Sequence, residues 1–156
     1  MIYETLPEEV GTSLADDLSS MVPHSLLRVR EIMLETIRPI LFGAGQAEAQ
    51  WRVLRVLYAE HAPLDFASLA HAAVIRRASL TRVIKTLTEE GLVVANPNPN
   101  DQRLVLVEMT DEGRDHVREL SVQIQAEYRK LSDRLGSERL TQLRTLLGEI
   151  QELAAE

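Results

Sequence analysis

Apolar residues recur every three to four positions along most of this chain, the spacing that places them on one face of an α-helix. We therefore predict six helices, over residues 22–42, 47–61, 66–73, 78–90, 111–135 and from Ser137 onward. Pro39 lies deep in the first of these segments, where its missing N–H predicts an end or a kink of the helix. The first 20 residues carry little periodicity and several acids, which favours an extended arm.

The hydrophobic period changes between residues 92 and 109. Segments 92–96 and 103–109 are rich in β-branched residues and predict two strands. Residues 97–102, Pro-Asn-Pro-Asn-Asp-Gln, are polar and predict a loop. The two strands would then form a β-hairpin with an exposed tip.

The order of these elements predicts the fold class. A tight helix-turn-helix followed directly by a hairpin is the winged-helix plan, in which the second helix enters the major groove and the hairpin reaches alongside. We expect a mainly α protein with a small β-hairpin wing (α+β), a winged helix-turn-helix plus a helical dimerisation region. The expected divisions are an N-terminal arm, a dimerisation helix, a DNA-binding lobe and C-terminal dimerisation helices, at residues 1–21, 22–46, 47–110 and 111–156.

Charge is distributed unevenly along the chain. The formal net charge is −7, which argues against a broadly basic surface for nucleic acid. Residues 76–103 are the exception, with five Lys and Arg against three acids, a balance of +2. A basic spot on an acidic body fits contact with phosphate over a small area. From charge alone, a chance fluctuation explains the pattern equally well.

Composition bears on the location of the protein and on its chemistry. There is no cysteine, hence no disulfide and no thiolate metal site. No apolar run approaches the roughly 20 residues that span a bilayer, and the first residues lack the pattern of a secretion signal. We therefore expect a cytoplasmic protein without a membrane partner. The four histidines are scattered, and the catalytic motifs for nucleophiles, phosphate loops or metal helices are missing, so we expect neither an enzyme, a metal nor a cofactor.

The helix predicted over residues 78–90 carries the richest chemistry. Its apolar residues share one face, which leaves the polar side chains directed outward. Arginine can read guanine, and hydroxyl groups can meet base edges or phosphates. An isolated segment of this kind is more simply a solvated helix face, but its position just before a hairpin favours DNA contact. The candidate DNA-binding residues are Arg77, Ser79, Thr81, Arg82, Lys85, Thr86 and, on the wing, Arg103.

Arg103 lies where the predicted loop meets its second strand. An exposed arginine on a wing can enter the electronegative minor groove. Asp101 would support the wing by orienting Arg103 or by pairing with a basic side chain of the recognition helix. A turn in which Asp101 bonds its own backbone is the simpler alternative, and both can hold together.

Six short motifs, in this order along the chain, resemble the MarR family. They are Gln50-Trp-Arg-Val-Leu54, Leu64-Asp-Phe66, Ser79-Leu-Thr-Arg82, Glu90-Gly-Leu-Val93, Asn100-Asp-Gln-Arg103 and Thr110-Asp-Glu-Gly113. With Arg38-Pro-Ile40, the pattern is similar to the branch that represses homoprotocatechuate and hydroxycinnamate degradation. The resemblance implies a homodimer, a recognition helix at about 77–90 and a wing arginine at Arg103. It also implies that small aromatic or phenolic carboxylates bind between the dimerisation helices and the DNA-binding lobe.

Arg30 is the most conspicuous candidate for holding such an acid. It lies within the apolar stripe of the first helix, and arginine is rarely buried without a partner. Either a ligand carboxylate or an acid of the second subunit would pair with its charge. The sequence slightly favours the second, a structural salt bridge between subunits. Weaker effector-binding candidates are His24, Ser25, Trp51 and Arg52.

The sequence thus predicts a DNA-binding transcriptional repressor that acts on a pseudo-palindromic operator in double-stranded DNA and is released by a small aromatic acid. The alternative is a winged-helix module that binds proteins and has no specific DNA target.

Overall fold

The computed structural model describes residues 21–153, so the predicted arm lies almost wholly outside the described residues. The boundary between two compact units of the chain falls between Thr36 and Ile37, within the first helix. The helices are α1 (Val22–Gly43), α2 (Glu48–Glu60), α3 (Phe66–Ala72), α4 (Arg77–Glu89), α5 (Asp111–Leu135) and α6 (Ser137–Leu153). The strands are β1 (Leu64–Asp65), β2 (Val93–Asn98) and β3 (Asp101–Met109).

The six predicted helices are confirmed, each to within a residue or two at its ends. The expected end of the helix at Pro39 is wrong, because α1 continues through it to Gly43. A proline removes one intrahelical hydrogen bond, and Pro39 is exposed, so water can satisfy the carbonyl group that loses its donor.

Local capping sets the helix-turn-helix. The Asp65 carboxylate accepts hydrogen bonds from the backbone N–H groups of Ala67 at 2.7 Å and Ser68 at 3.0 Å, which starts α3 as an N-cap. Val74, in the turn between α3 and α4, has a φ of 52°. This left-handed conformation is unfavourable for a β-branched residue. Gly91, just after α4, has a φ of 74°, which glycine adopts freely.

The wing is a three-stranded antiparallel sheet in the order β1-β3-β2. The sequence missed β1, whose two residues pair with Val107 and Leu106 of β3. The loop predicted over 97–102 is also wrong at both ends, since β2 continues through Asn98 and β3 begins at Asp101. Cross-strand pairing overrides the low strand propensity of proline and asparagine here. The register shifts between Pro97, which pairs with Val105, and Asn98, which pairs with Asp101.

The core of residues 37–153 lies between α2, α3, α4 and the sheet. Its fully buried side chains include Leu54, Leu57, Leu69, Leu80, Leu87 and Val107. Helix α5 joins it through one face, which buries Val117, Leu120 and Ile124.

The start of α5 approaches the backbone after α4 very closely. Thr110 caps α5 by accepting a hydrogen bond from the Gly113 N–H at 2.9 Å. A side chain at Gly113 would overlap the carbonyl oxygen of Leu92, and its Cβ would lie 3.0 Å from Met109 Cγ. Only glycine therefore fits this contact without a shift of the backbone.

Large apolar side chains remain exposed on two helices. On α1 they include Leu26, Leu27, Val29, Ile32 and Met33. On α6 they include Leu140, Leu143, Leu146, Ile150 and Leu153, and this helix buries none of its residues. Every helix within residues 21–153 is too short or too polar to cross a membrane.

Candidate DNA-binding surface and effector region

Helix α4 presents a polar face because its apolar face is anchored in the core. Leu80, Ile84 and Leu87 are buried, which fixes the rotation of the helix about its axis. The polar candidates Arg77, Ser79, Thr81, Arg82 and Lys85 are all exposed. Thr86 is half-buried, and its hydroxyl group donates to the carbonyl oxygen of Arg82 at 3.2 Å. The face predicted from the spacing is thus available to an external partner, with Thr86 partly withdrawn.

A groove of about 600 Å³ lies between the start of α4 and the wing. Its lining includes Arg77 and Thr81 of α4 together with Arg103 of β3. The structure therefore brings together two arginines and a hydroxyl group that are as much as 26 positions apart. The groove is walled by Asp65 and Phe66 at the start of α3. Hydrogen bonds from the backbone and side chain of Ser68 hold the pKa of Asp65 below its ordinary value, with a smaller contribution from Arg77.

Lys85 of α4 lies close to an acid of the same helix. Lys85 Nζ lies 3.8 Å from Glu89 Oε1, one turn further on, and both side chains are largely exposed. Such a pair is weak in water, so a phosphate can compete for the ammonium group.

Arg103 lies in the irregular part of the wing. On β3, residues 102–104 separate the paired positions Asp101 and Val105. Their partners on β2, Asn98 and Pro97, are adjacent in the sequence, so β3 has three extra residues here. A bulge of this kind bends a strand and redirects its side chains. The Asp101 carboxylate accepts a hydrogen bond from the Arg103 backbone N–H at 3.0 Å. Asp101 thus stabilises the local backbone at the point where Arg103 leaves the strand.

Arg52 is engaged with the helix-turn-helix itself. Its Nη1 donates to the carbonyl oxygens of Ala73 at 3.2 Å and Val74 at 2.7 Å, and its Nε lies 3.7 Å from Glu48 Oε1. A guanidinium group at these carbonyls satisfies acceptors that α3 leaves open at its C-terminal end. Arg52 therefore supports the strained turn at Val74.

The other effector candidates lie in different surroundings. His24, Ser25 and Arg30 are exposed on α1, and Trp51 of α2 is only 4% exposed. One turn after Trp51, Arg55 carries a positive charge that acts on Tyr128 of α5. Burial raises the pKa of the Tyr128 hydroxyl group, and the positive charge of Arg55 acts in the opposite direction. No local pattern indicated this pair, because the two residues are distant along the chain.

Metal binding has no support in the described part of the chain, where His, Asp and Glu residues form no group of three placed to hold an ion.

Comparisons with known proteins relate the chain to transcriptional regulators. The model of the MarR family matches residues 47–105, which contain the helix-turn-helix and most of the wing. The HTH-type transcriptional regulator FarR of Neisseria gonorrhoeae is 38% identical over 128 residues, or 82% of this chain and 87% of that protein. The homoprotocatechuate degradative operon repressor of Escherichia coli is 36% identical over 125 residues, or 80% and 84% of the two chains. The crystal structure of NadR in complex with 4-hydroxyphenylacetate superimposes with a TM-score of 0.77 and 32% identity, and covers 93% of this chain and 97% of NadR.

Proposed function

This chain belongs to the MarR family, and on that basis we propose that it is a transcriptional repressor that leaves its operator when a small aromatic carboxylate binds. The DNA-binding lobe is residues 47–110, flanked by dimerisation segments at 22–46 and 111–156. The observation that carries the proposal is the groove shared by α4 and the wing, where Arg77, Thr81 and Arg103 converge.

Helix α4 is the recognition helix. Arg82, Ser79 and Thr81 on its exposed face read base edges in the major groove, while Arg77 and Lys85 contact phosphates. Arg103 enters the adjacent minor groove. These cations stand on a protein of negative net charge, which favours the approach of DNA to the surface formed by α4 and the wing.

Two copies of the chain form the functional unit. Helices α1 and α6 each expose at least five large apolar side chains, whereas an ordinary monomer exposes such residues singly. A two-fold interface that buries them places the two recognition helices on the same side of a palindromic operator.

The effector is a small aromatic carboxylate. Two relatives support this chemistry: one is named a homoprotocatechuate operon repressor, and the other was crystallised with 4-hydroxyphenylacetate. Arg55 is the better of two candidates for the carboxylate, because its positive charge opposes the rise that burial causes in the pKa of Tyr128, a phenol on the dimerisation helix α5. Arg30 on α1 is the second candidate. A ligand that binds better to a conformation in which the two recognition helices are wrongly spaced for the operator shifts the population away from the DNA-binding form.

Binding to the DNA fragment upstream of the chain's own gene, measured by fluorescence anisotropy over a series of salt concentrations, tests the proposal. The dimer has about six to eight cationic contacts, so log affinity should fall with log salt with a slope of roughly −5 to −7. Arg103→Ala should weaken binding and lower this slope by about one contact per protomer. Arg139→Ala, a change of the same charge on the exposed surface of α6, is the control and should leave the slope unchanged.

Failure of the parent to prefer this fragment over random DNA of equal length would reject the repressor function and favour a protein-binding module. If Arg103→Ala and Arg139→Ala behave alike, the wing does not contact DNA.

A further inference from the structure

The C-terminal end of the recognition helix α4 is held by a cluster of one acid and two amides. Glu90 is the C-cap residue of α4. Its Oε2 accepts a hydrogen bond from Gln46 Nε2 at 3.1 Å. Both of its oxygens lie within reach of Gln50 Nε2, at 3.3 and 3.4 Å. We call this cluster of Glu90, Gln46 and Gln50 the Glu90 latch.

The two glutamines are almost fully buried, at 7% and 6% exposure for Gln46 and Gln50. Gln50 has its orientation fixed from both sides. Its Oε1 accepts from the Ala47 N–H at 2.6 Å, at the start of α2, and its amide nitrogen donates to Glu90. A flipped amide would present a carbonyl oxygen to the carboxylate and lose both bonds.

This cluster is a poor arrangement for stability alone. The C-terminal end of a helix carries a partial negative charge that disfavours an anion, yet Glu90 places a carboxylate there. Gln46 Oε1 is buried and has no hydrogen-bond partner among residues 21–153. An apolar residue of similar size would avoid that cost.

The latch joins the recognition helix to the end of α1. The Gln46 N–H donates to the Leu41 carbonyl oxygen at 2.8 Å, so Gln46 is fastened to the last turn of α1. On the other side of Glu90, the Thr110 hydroxyl group that caps α5 donates to the Gly91 carbonyl oxygen at 2.8 Å. The end of α1 and the start of α5, which belong to the two dimerisation segments, therefore both lie at the C-terminal end of the recognition helix.

We propose that Glu90 is a positioning residue, which through Gln46 and Gln50 fixes the pose of the recognition helix relative to the end of α1 and so sets the operator spacing that the dimer accepts. This inference rests on the proposed function. Glu90 touches no DNA in this scheme. It acts by restricting the recognition helix to one orientation, because motion of its C-terminal end would vary the distance between the two helices of a dimer.

Three substitutions test the role by the sign of their effect on DNA affinity. Glu90→Ala removes the acceptor and should lower the affinity about tenfold, the loss expected for about 1.4 kcal/mol. Glu90→Gln removes the charge but keeps an acceptor oxygen, so it should bind at least as tightly as the parent. Glu89→Ala removes a neighbouring acid that pairs with Lys85 instead of the glutamines. Because loss of an acid near DNA favours binding electrostatically, Glu89→Ala should not weaken it.

Operator spacing provides the measurement that a merely structural role would not change. The probe is the segment that the parent protects in footprinting, compared with the same segment carrying one inserted base pair at its centre, which rotates the half-sites by about 35°. The parent should discriminate strongly between the two. Gln46→Leu, which replaces a half-satisfied buried amide, should melt at or above the parent temperature. It should nevertheless bind the cognate segment less tightly and discriminate less against the insertion.

The outcomes separate the two hypotheses. If the parent protects no segment, the proposed function fails. If the parent binds but Gln46→Leu and Glu90→Ala keep its affinity and its discrimination, the positioning role alone is refuted. A fall in affinity for Glu89→Ala and Glu90→Gln equal to that of Glu90→Ala would also refute it, because the effect would then not depend on the hydrogen bonds from Gln46 and Gln50 to Glu90.

Discussion

Replacement of Gly113 by alanine decides between two opposite expectations. Helix propensity favours alanine over glycine by about 0.8–1.0 kcal/mol in a helix interior, so the sequence alone predicts that Gly113→Ala in α5 stabilises the protein. In the structure the added methyl group overlaps the Leu92 carbonyl oxygen and presses on Met109. The backbone of Leu92 cannot yield easily, because its carbonyl oxygen also accepts a hydrogen bond from the Thr110 N–H at 3.1 Å.

The overlap should outweigh the gain in propensity. Overpacking in a filled site typically costs about 1–3 kcal/mol, and the propensity gain is reduced in the first turn, where Gly113 lies. We expect a net loss of about 1–2 kcal/mol. For a chain of this size, that corresponds to a melting temperature roughly 2–8 °C below that of the parent.

Gly148→Ala is the matched control. Gly148 lies within α6, and in the protomer an added Cβ would have no neighbouring atom within 4 Å. The higher helix propensity of alanine should therefore make the Gly148→Ala variant more stable than the parent. Thermal melts and urea unfolding of both variants should be run at one protein concentration, since dimer formation makes stability concentration-dependent. If Gly113→Ala melts at or above the parent temperature, the close approach of α5 to Leu92 is wrong.

Three further predictions follow from other positions. Val74→Gly relieves a left-handed conformation that costs a residue with a side chain roughly 1–2 kcal/mol. About 0.5–1 kcal/mol of this gain is lost again, because glycine gives up more conformational entropy on folding. Since the Val74 side chain is 78% exposed, the variant should melt slightly higher, and a lower melting temperature would contradict the strain. Asp65 has a lowered pKa in the folded protein, so its contribution to stability is complete above the unfolded pKa of about 3.9 and disappears as the pH falls through the lower folded value. Asp65→Asn should flatten this acid dependence in urea titrations between about pH 5 and pH 2, and an unchanged slope would argue against the cap. Arg55→Met should bind operator normally but resist release by 4-hydroxyphenylacetate, whereas Arg30→Met should be released like the parent. The reverse result would assign the carboxylate to Arg30.

The elements with regular periodicity were predictable from the sequence. Leu80, Ile84 and Leu87 recur at helical spacing, and this alone identified the buried face of α4 and therefore its exposed polar face. Asp65 and Thr110 are of the residue type that favours an N-cap, because short polar side chains at the start of a helix satisfy local N–H groups.

The contacts between distant segments were not predictable. Gln46 and Gln50 lie 44 and 40 positions from Glu90, and no local pattern indicates which acid two buried amides will meet. Val74 gave no signal because valine ordinarily avoids the conformation that the turn imposes. The wing was underestimated for a related reason: residues 97–98 have the composition of a loop, and only the pairing with β3 makes them a strand.

Pro97 has a consequence for solubility as well as for the wing. In the order β1-β3-β2, one side of β2 is an edge with no neighbouring strand among the described residues. An open edge can recruit a strand from another molecule and begin aggregation. Pro97 has no N–H to offer such a strand, and Pro99 at the tip lacks one as well. The uncharged Asn-Pro-Asn-Pro-Asn sequence thus protects a protruding hairpin from self-association without adding charges beside Asp101 and Arg103.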